Sequence, residues 1–496
     1  MVDGTRGRQR PVGIIDIGSN TVRLVVYNGE TRIPVPLHNE KATCALGRGL
    51  EKTGLLNADG VKMAFDTVAR FARIAESMEV SRLDVLATAA VRDAKDGPEF
   101  VKAIEKRCGI DVQVLTGKQE AKRSALGVLC GMPDANGVVA DLGGGSLELV
   151  NVAKGDMSDH TTLPLGLLRL MEASDGNRTK AINIIDKALD KQDWVPGAAK
   201  DRNLYAVGGA WRALARVCIS QMNYPLHVLD SFSLGREQAI SLFEVVARMS
   251  AKSLEQVKGV SKNRLATLPL AAAVLERLLE VTKPKNVFFS IYGMREGQFF
   301  RELPDDIKKQ DPLISLAENM ARSVGRSPDV GHEAFAWMTA LFPDETAIQK
   351  RLRLAACILR DAWWMEHPDY RGEQAFLRVL RLPFLGLNHE DRAGLALAMF
   401  YRYGSEPSEP IIEQAHALLE DSRIARIRTI GLALRLSYVL APGVTGVLKR
   451  TELEVDGKAL VLTINEREAL FRAGSFPRRL QRLASHLGLD HRVDWK

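Results

Sequence analysis

Two stretches of the chain place a carboxylate, a small polar turn and short hydroxyl side chains in the same order. Residues 14–25 read IIDIGSNTVRLV, and residues 139–150, lying 125 positions later without a gap, read VADLGGGSLELV. Each copy is an apolar run ending in Asp, then a turn, then a second apolar run, a pattern typical of a strand, tight turn and strand. In-register self-similarity indicates a duplicated structural unit. We therefore expect two related hairpins that could close on a phosphate from opposite sides.

The turn residues are suited to phosphate. Glycine tolerates the positive φ angles of a hairpin tip and leaves no side chain between a phosphate oxygen and the backbone N–H groups. The turn glycines are Gly18, Gly143, Gly144 and Gly145, and the neighbouring side-chain donors are Ser19, Asn20, Thr21 and Ser146. For either copy alone, an ordinary hairpin whose Asp caps the turn explains the residues equally well.

Carboxylates stand at matching positions in the two copies. Asp16 and Asp141 each close an incoming strand, and Glu148 could add a third carboxylate. Mg²⁺ favours one or two carboxylates together with substrate phosphates. The pattern predicts that these side chains hold a magnesium ion or its water shell.

A capping box precedes a further carboxylate, Glu120. The segment Thr116-Gly117-Lys118-Gln119 predicts a helix capped by Thr116, with Glu120 in its first turns. A structural explanation is simple, since an acid near a helix N-terminus favours the helix dipole. The functional alternative is that Glu120 faces an interdomain cleft and takes a proton from an attacking water.

Arg92 follows a predicted strand directly, in the segment Ala87 to Arg92. The carboxyl ends of strands in α/β domains commonly carry ligand contacts, and the guanidinium fork suits phosphate oxygens. A salt bridge to Asp93 or Glu120 is the alternative.

Composition limits the class of protein. The 496 residues are 46% hydrophobic and 26% charged, which predicts three or four domains. The first ten residues lack an apolar leader core and no long uncharged apolar run follows, so we expect neither secretion nor membrane spanning, and a cytoplasmic location. The five cysteines are scattered and never in CxxC spacing, which suggests neither a disulfide framework nor a zinc site.

The net charge of +7 is unevenly distributed. From residue 421 to the end, lysines and arginines, among them Arg428, Arg478, Arg479 and Arg482, outnumber acidic residues. Such a density would attract a polyanion, although a solvated basic face is the plainer interpretation.

The order of predicted elements indicates four domains. Strands alternate with helices in 1–125 and again in 126–305, each time with a hairpin at the front, which favours mixed-sheet α/β domains. Residues 306–440 show helical periodicity without alternating strands. Residues 441–496 predict a small α+β domain, with short strands divided by Asp456-Gly457.

Together these segments resemble the exopolyphosphatase/guanosine-pentaphosphate phosphohydrolase (Ppx/GppA) family of the actin-like ATPase superfamily. The resemblance covers residues 12 to 300 in order and rests on five segments: Gly13 to Leu24, Leu46 to Leu50, Ala87 to Arg92, Thr116 to Ala121 and Ala140 to Leu149. It implies an α/β fold with two tandem actin-like (ribonuclease H-like) domains, followed, as in the longer members, by an all-helical HD-like domain and the small C-terminal domain. A homodimer is also implied.

The resemblance further implies roles for single residues. Glu120 would be the catalytic base that activates water. The residues implied to contact phosphate are Ser19, Asn20, Thr21, Arg23, Arg92, Gly143, Gly144, Gly145 and Ser146. The residues implied to bind Mg²⁺ or another divalent cation are Asp16, Asp141 and Glu148. Three positions depart from the family pattern: Gln119 stands where a second glutamate is frequent, Thr21 replaces a common Ser, and Ala210 follows Gly208-Gly209 where a hydroxyl residue is frequent.

A working HD metal site needs an adjacent His-Asp pair with further His and Asp ligands. The corresponding pair here is Arg360-Asp361, and His332, His367 and His389 do not show matching ligand spacing. We therefore expect the helical domain to be a metal-free scaffold.

The predicted function is a magnesium-dependent exopolyphosphatase that removes terminal orthophosphate processively from inorganic polyphosphate, with the basic C-terminal region holding the rest of the chain. The main alternative is hydrolysis of guanosine pentaphosphate (pppGpp), or both activities. A less favoured alternative is an actin-like nucleotide-binding scaffold or kinase, which would lack the element around Glu120. Neither a membrane nor a specific nucleic acid is expected as a partner.

Overall fold

The computed structural model divides into two compact units, Met1–Lys309 and Gln310–Lys496. It describes residues 10–249, 251–257, 260, 262–383, 385–404, 410–465, 471 and 475–496. Residues 1–9, on which the expectation about a leader segment depends, lie outside the described residues. In the described part, no helix is long and apolar enough to cross a membrane.

The first unit opens with a mixed sheet built around the first hairpin. Its strands are β1 (Val12–Ile17), β2 (Thr21–Tyr27), β3 (Pro36–Thr43), β4 (Arg82–Ala87) and β5 (Gln113–Val114). The order is β3-β2-β1-β4-β5, with β1 antiparallel to β2 and parallel to β4. Helices of this part are α1 (Leu50–Thr53), α2 (Ala58–Ser77), α3 (Ala89–Asp93), α4 (Gly97–Cys108) and α5 (Gly117–Gly131).

A second mixed sheet contains the second hairpin. Its strands are β6 (Gly137–Leu142), β7 (Leu147–Ala153), β8 (Asp156–Leu163), β9 (Asn203–Val207), β10 (Phe232–Gly235) and β11 (Asn286–Phe289), in the order β10-β11-β9-β6-β7-β8. The accompanying helices are α6 (Leu167–Ser174), α7 (Arg178–Leu189), α8 (Gly209–Gln221), α9 (Arg236–Arg248), α10 (Ala251–Glu255), α11 (Lys262–Leu265), α12 (Leu268–Thr282), α13 (Met294–Arg301) and α14 (Asp305–Lys308).

The two hairpins share one register, as the sequence repeat predicts. Asp16 pairs with Arg23 across β1 and β2, and Asp141 pairs with Glu148 across β6 and β7. Both central strands are almost wholly buried, which explains their continuous apolar runs. Each Asp therefore lies at the same position relative to the turn of its own hairpin.

Two helices connect the sheets. Helix α5 packs Ala121, Ala125 and Val128 against the second sheet, so the predicted domain boundary at 125/126 lies inside this helix. Helix α13 buries Phe299 with Val12 of the first sheet. The chain therefore returns to the first sheet after completing the second.

The second unit is mainly helical, as expected. Its helices are α15 (Pro312–Ser323), α16 (Pro328–Trp337), α17 (Ala347–Leu359), α18 (Arg371–Arg381), α19 (His389–Arg402), α20 (Glu413–His416), α21 (Asp421–Leu440) and α22 (Phe476–Leu487), with short 3-10 turns at Thr339–Leu341, Pro410–Ile412 and Leu448–Arg450. A small sheet, β12-β13-β14, is formed by β12 (Thr451–Asp456), β13 (Ala459–Ile464) and β14 (Asp490–Trp495).

The α/β class and most of the predicted elements agree with this structure. Polar strands such as β3, with the sequence PLHNEKAT, and β14, with DHRVDW, do not stand out in the sequence. Each lies at the edge of its sheet, where one side needs no apolar burial. The division into four domains and the HD-like character of the helical part stay predictions.

Candidate active site

The tips of the two hairpins lie against each other. A Cβ built on Gly145 would stand 2.9 Å from the Cβ of Ala89 and 3.0 Å from Ser19 Oγ, and one built on Gly144 would stand 3.2 Å from Ser19 Cβ. The space left between the tips is about 20 Å³, bounded also by Gly47 and Arg169. Such a space is near the size that holds one water. The glycines are needed because the turns approach so closely.

The expected positive φ angles are absent, which corrects the sequence-based reason for these glycines. None of Gly18, Gly143, Gly144 and Gly145 is among the glycines with positive φ. Each turn is closed by one equivalent bond: the Gly18 N–H donates to Thr21 O and the Gly143 N–H to Ser146 O, both at 3.0 Å. Ser19 and Asn20, between Gly18 and Thr21, are likewise not among the residues with positive φ.

The segment after β3 supports the first turn. The Gly47 N–H donates to Ser19 O at 2.8 Å, and the Cys44 and Ala45 N–H groups donate to Asn20 O at 3.1 and 3.0 Å. These bonds use the turn's carbonyls and fix the backbone around them. Ser19 and Ser146 are buried at the tips, whereas Asn20 is exposed.

Glu120 sits where the capping box predicts. The Gln119 N–H donates to Thr116 Oγ1 at 3.3 Å, and the Thr116 N–H donates to Gln119 Oε1 at 3.0 Å, which starts α5. Glu120 follows in the first turn with its side chain largely buried. The helix N-terminus therefore fixes the carboxylate close to both hairpins.

Arg92 makes the salt bridges that the sequence offered as an alternative. Its Nη1 donates to Glu120 Oε2 at 2.9 Å and to Leu115 O at 3.1 Å, and its Nε donates to Asp93 Oδ1 at 3.1 Å. Arg92 does not lie at the strand end, because β4 stops at Ala87 and the short helix α3 carries the guanidinium onward.

The pKa of Glu120 is raised from its usual 4.5 to about 7. Burial is the main cause, since a low-polarity environment disfavours the charged form. Arg92 acts in the opposite direction, and the charges of Asp141 and Asp16 add to the rise. A carboxylate with a pKa near 7 is matched to general base work at neutral pH.

Asp16 and Asp141 are held by different partners. Arg295 Nη1 donates to Asp16 Oδ2 at 2.9 Å, and Ser124 Oγ donates to Asp141 Oδ2. Burial raises the pKa of both carboxyls, and these partners oppose the rise. Each aspartate thus keeps one oxygen engaged by the protein.

Glu148 is buried, and its Oε1 has no hydrogen-bond partner within the described part of the chain. Burial raises the pKa of Glu148 well above its usual value, and the charges of Glu120 and Asp141 raise it further. Crowded buried carboxylates with an unpaired oxygen fit a hard cation, which favours oxygen ligands.

The protein alone does not complete such a site. Among the described residues, no three His, Cys, Asp or Glu side chains are grouped so that they could hold a metal ion. The assignment of Asp16, Asp141 and Glu148 to a metal stays a prediction, in which substrate phosphates and water supply the remaining ligands.

Two arginines near the carboxylates were not predicted from the sequence. Arg295 starts α13 in the segment Gly293-Met294-Arg295-Glu296-Gly297, and Tyr27 Oη donates to Glu296 Oε1 at 2.9 Å beside it. Arg212 of α8 is deeply placed, burial lowers its pKa to about 10, and its charge acts on Asp141. The sequence feature that could have pointed to Arg295 is the pair of charged residues at a glycine-rich helix start. The feature that could have pointed to Arg212 is its position shortly after Gly208-Gly209.

Arg23 is directed partly away from the turn. Its Nε donates to Asn39 Oδ1 of β3 at 2.8 Å, while its charge lowers the pKa of Asp16. The structure therefore brings Glu120, Asp16, Asp141 and Glu148 within electrostatic reach of one another, and it leaves Arg23 at the edge of this group.

Comparisons with known proteins match the chain to two family descriptions and to several relatives. Residues 25–306 match the Ppx/GppA phosphatase family, and residues 313–492 match the family described as exopolyphosphatase, C-terminal. The chain is 28% identical over 332 residues to Exopolyphosphatase 1 of Mycobacterium tuberculosis, which covers 64% of this chain and 95% of that protein. It is 22% identical over 470 residues to the guanosine-5'-triphosphate,3'-diphosphate pyrophosphatase of Aeromonas hydrophila, with 91% of each chain covered.

Solved structures show the same fold. The crystal structure of an exopolyphosphatase from Cytophaga hutchinsonii superposes with a TM-score of 0.52 at 24% identity, covering 58% of this chain and 96% of that one. The matched family covers more than half of the sequence and includes the second hairpin; the match begins at residue 25, near the end of the first hairpin. The chain therefore belongs to the Ppx/GppA phosphatase family.

Proposed function

We propose that the protein is an exopolyphosphatase that removes the terminal phosphate of inorganic polyphosphate. The observation that carries this proposal is the buried Glu120 carboxylate, whose pKa is about 7 and which is acted on by Arg92, Asp141 and Asp16. A base that is partly ionised at neutral pH can take a proton from water without giving up much basicity.

The proposed reaction needs positioning more than covalent chemistry. Water, oriented by Glu120, attacks the terminal phosphorus as the bond to the bridging oxygen breaks, and the proton of the water passes to Glu120. The products are orthophosphate and a chain one phosphate shorter. The 2.9 Å hydrogen bond from Arg92 fixes the orientation of the Glu120 carboxylate, so that the lone pairs of the carboxylate keep one direction.

The turns would hold the terminal phosphate. The proposed donors are the backbone N–H groups of Gly144 and Gly145 and the hydroxyls of Ser19 and Ser146; of these residues, Ser19, Gly144 and Gly145 line the space between the tips. Because the space there is about 20 Å³, the two turns must separate to admit a phosphate group. Opening between the two sheets is therefore part of the proposal.

We include a divalent cation in the proposal, with substrate phosphates and water completing its ligands. Asp141 and Glu148, with Asp16, would hold it, and it would supply positive charge next to the phosphate oxygens. The unpartnered Oε1 of Glu148 and the mutual repulsion of Glu120, Asp141 and Glu148 are the observations that favour a cation there.

Two features favour polyphosphate as the substrate. The C-terminal part matches the family described as exopolyphosphatase, C-terminal, and a relative that matches 64% of this chain is named Exopolyphosphatase 1. The second unit also carries many arginines near its end, which suits a long polyanion. We therefore include processive action on long chains in the proposal.

Hydrolysis of pppGpp is the second candidate. The Aeromonas relative, named for action on a guanosine pentaphosphate, is matched over 91% of this chain, including the second unit. The same base and turns would serve both substrates, since the scissile bond in each is a phosphoanhydride.

The test is orthophosphate release by the full chain with Mg²⁺, comparing long-chain polyphosphate, tripolyphosphate and pppGpp. Glu120→Gln should lose at least about a hundredfold in rate, because a positioned general base contributes that much. Glu76→Gln, which changes an exposed carboxylate on α2, is the matched control. Full activity of Glu120→Gln would remove the base assignment, and release from pppGpp alone would remove the polyphosphate proposal.

A further inference from the structure

Helix α6 ties the second turn to the part of the chain that supports the first turn. The first two N–H groups of α6, those of Leu167 and Leu168, donate to carbonyl oxygens of the second turn at 3.1 and 2.9 Å. On the other side, the chain from Gly47 onward supports the first turn, because the Gly47 N–H donates to Ser19 O. Contacts between α6 and the first-sheet side therefore connect the two turns.

Arg169 and Glu172 of α6 make these contacts, which we name the latch. Arg169 Nε lies 2.9 Å from Glu51 Oε2, and Arg169 Nη2 lies 3.0 Å from Oδ2 of Asp93, the last residue of α3. The Gly49 N–H donates to Glu172 Oε1 at 2.9 Å. Arg169, Glu172 and Glu51 also line the space of about 20 Å³ between the tips, so the latch lies beside the proposed phosphate position.

The latch must open for a phosphate to enter. The tips leave a space near the size of one water, and a phosphate group is larger. The side chains of Arg169, Asp93 and Glu51 are 19, 33 and 48% exposed, and ion pairs at such exposure contribute little each and are screened by salt. The latch therefore favours the closed form by a small amount that a ligand can overcome.

Asp93 also contacts the partner of the proposed base. Its Oδ2 meets Arg169, while its Oδ1 accepts from Arg92 Nε at 3.1 Å. Arg92 Nη1 in turn donates to Glu120 Oε2 at 2.9 Å. Asp93 thus holds the Arg92 guanidinium through a different nitrogen from the one that holds Glu120, and two held nitrogens fix the orientation of this planar group.

Two plainer explanations account for less of this geometry. Ordinary surface ion pairs would explain the contact of Arg169 with Glu51, but not why the carboxylates lie on the side of the first turn while α6 starts on the second. A direct phosphate ligand would explain an arginine beside the tips, but Arg169 already contacts two carboxylates, which a phosphate would have to displace.

We propose that the latch holds the turns closed in the free protein, and that Asp93 is a positioning residue that orients Arg92 towards Glu120. This proposal rests on the proposed function. Because the open form that can bind is only a fraction of the free protein, the apparent affinity for phosphate is reduced by that fraction. Weakening the latch therefore tightens binding, whereas removing the Asp93 charge also slows the reaction.

The first measurement is binding without turnover. The full chain with Mg²⁺ is titrated with imidotriphosphate, in which NH groups replace the bridging oxygens of tripolyphosphate. Arg169→Met should bind it at least about threefold more tightly than the wild type, since its ion pairs no longer hold the closed form. Arg277→Met is the matched control and should bind as the wild type does, because Arg277 is 27% exposed and pairs with Asp186 and Glu280, away from the tips.

The second measurement separates kcat from KM with tripolyphosphate as the substrate. Glu51→Gln removes a latch contact that does not involve Arg92, and Asp93→Asn weakens both the latch and the hold on Arg92. KM should fall in both variants, which a merely structural defect would not cause. The kcat of Asp93→Asn should be about tenfold below that of Glu51→Gln, because the base is less well oriented.

The outcomes decide each part of the proposal. Binding of imidotriphosphate by Arg169→Met that is no tighter than that of the wild type overturns the latch, and weaker binding makes Arg169 a phosphate ligand instead. Equal kcat values of Asp93→Asn and Glu51→Gln overturn the positioning role of Asp93. The proposed function fails on a different result, namely no orthophosphate release by the wild type, and the binding comparison does not depend on turnover.

Discussion

Arg92 Nη1 and Glu120 Oε2 are joined by a 2.9 Å hydrogen bond that links helix α3 to the first turn of α5. Burial and this bond have opposite effects on the pKa of Glu120: burial raises it and Arg92 lowers it. The resulting pKa is about 7. The arginine that the sequence suggested as a phosphate ligand is in this structure the partner of the proposed base.

The first prediction concerns the pH dependence of activity. Replacing Arg92 by Met removes the group that lowers the pKa of Glu120, so this pKa should rise above about 7. Because the base must be ionised, the acidic limb of the kcat/KM profile should move to higher pH, with a lower rate at pH 7. Arg92→Lys keeps a positive charge and should shift the limb less. An unmoved limb in Arg92→Met would contradict the assignment of Glu120.

The second prediction concerns stability. The pKa of Glu120 is higher in the folded chain, about 7 against 4.5, so between these values the folded state holds a proton that the unfolded state has lost. Stability should fall as the pH rises through this window. Glu120→Gln should therefore stabilise the first unit at pH 8 by on the order of 3 kcal/mol, and hardly at pH 4.

Urea unfolding of the wild type and Glu120→Gln at the two pH values measures this difference. Glu76→Gln, at an exposed position on α2, should change the free energy of unfolding by a similar small amount at both pH values. An equal stability gain at pH 4 and pH 8 would show that the folded protein does not disfavour the ionised form of the Glu120 carboxylate.

Much of this site could be predicted from the sequence, because the signals are local. The repeat predicts hairpins in the same register, and the pairs Asp16 with Arg23 and Asp141 with Glu148 confirm it. The capping box places Glu120 at a helix start, and both of its hydrogen bonds are present. Backbone hydrogen-bond rules determine these features within a few residues of chain.

The parts that could not be predicted depend on distant segments. Arg295 reaches Asp16 across 279 positions because α13 returns to the first sheet through Phe299. The φ-based reason for the turn glycines was also wrong: none of them has a positive φ, and Gly144 and Gly145 are required by their close approach to Ser19. The glycine-rich start of α13 could have pointed to Arg295 but not to its partner, because both relationships follow from how separate elements pack.

The third prediction tests the contact between the hairpin tips. Gly145→Ala would bring a Cβ to 2.9 Å from Ala89 and 3.0 Å from Ser19, so the turns should be forced apart. We expect kcat/KM to fall by about a hundredfold, which is the scale of a 1 Å misplacement of a reacting group. Gly235→Ala is the control, because a Cβ there meets nothing within 4 Å. Equal activity of the two variants would contradict the proposed role of the turn.

The fourth prediction concerns Ser124, which donates to Asp141. Ser124→Ala removes this donor and frees the carboxylate to rotate, so the Mg²⁺ concentration needed for half-maximal activity should rise about tenfold or more. Calorimetric titration with Mg²⁺ provides a readout apart from turnover. Ser158→Ala, at an exposed position on β8, should leave both values unchanged. An unchanged Mg²⁺ requirement in Ser124→Ala would separate Asp141 from the cation.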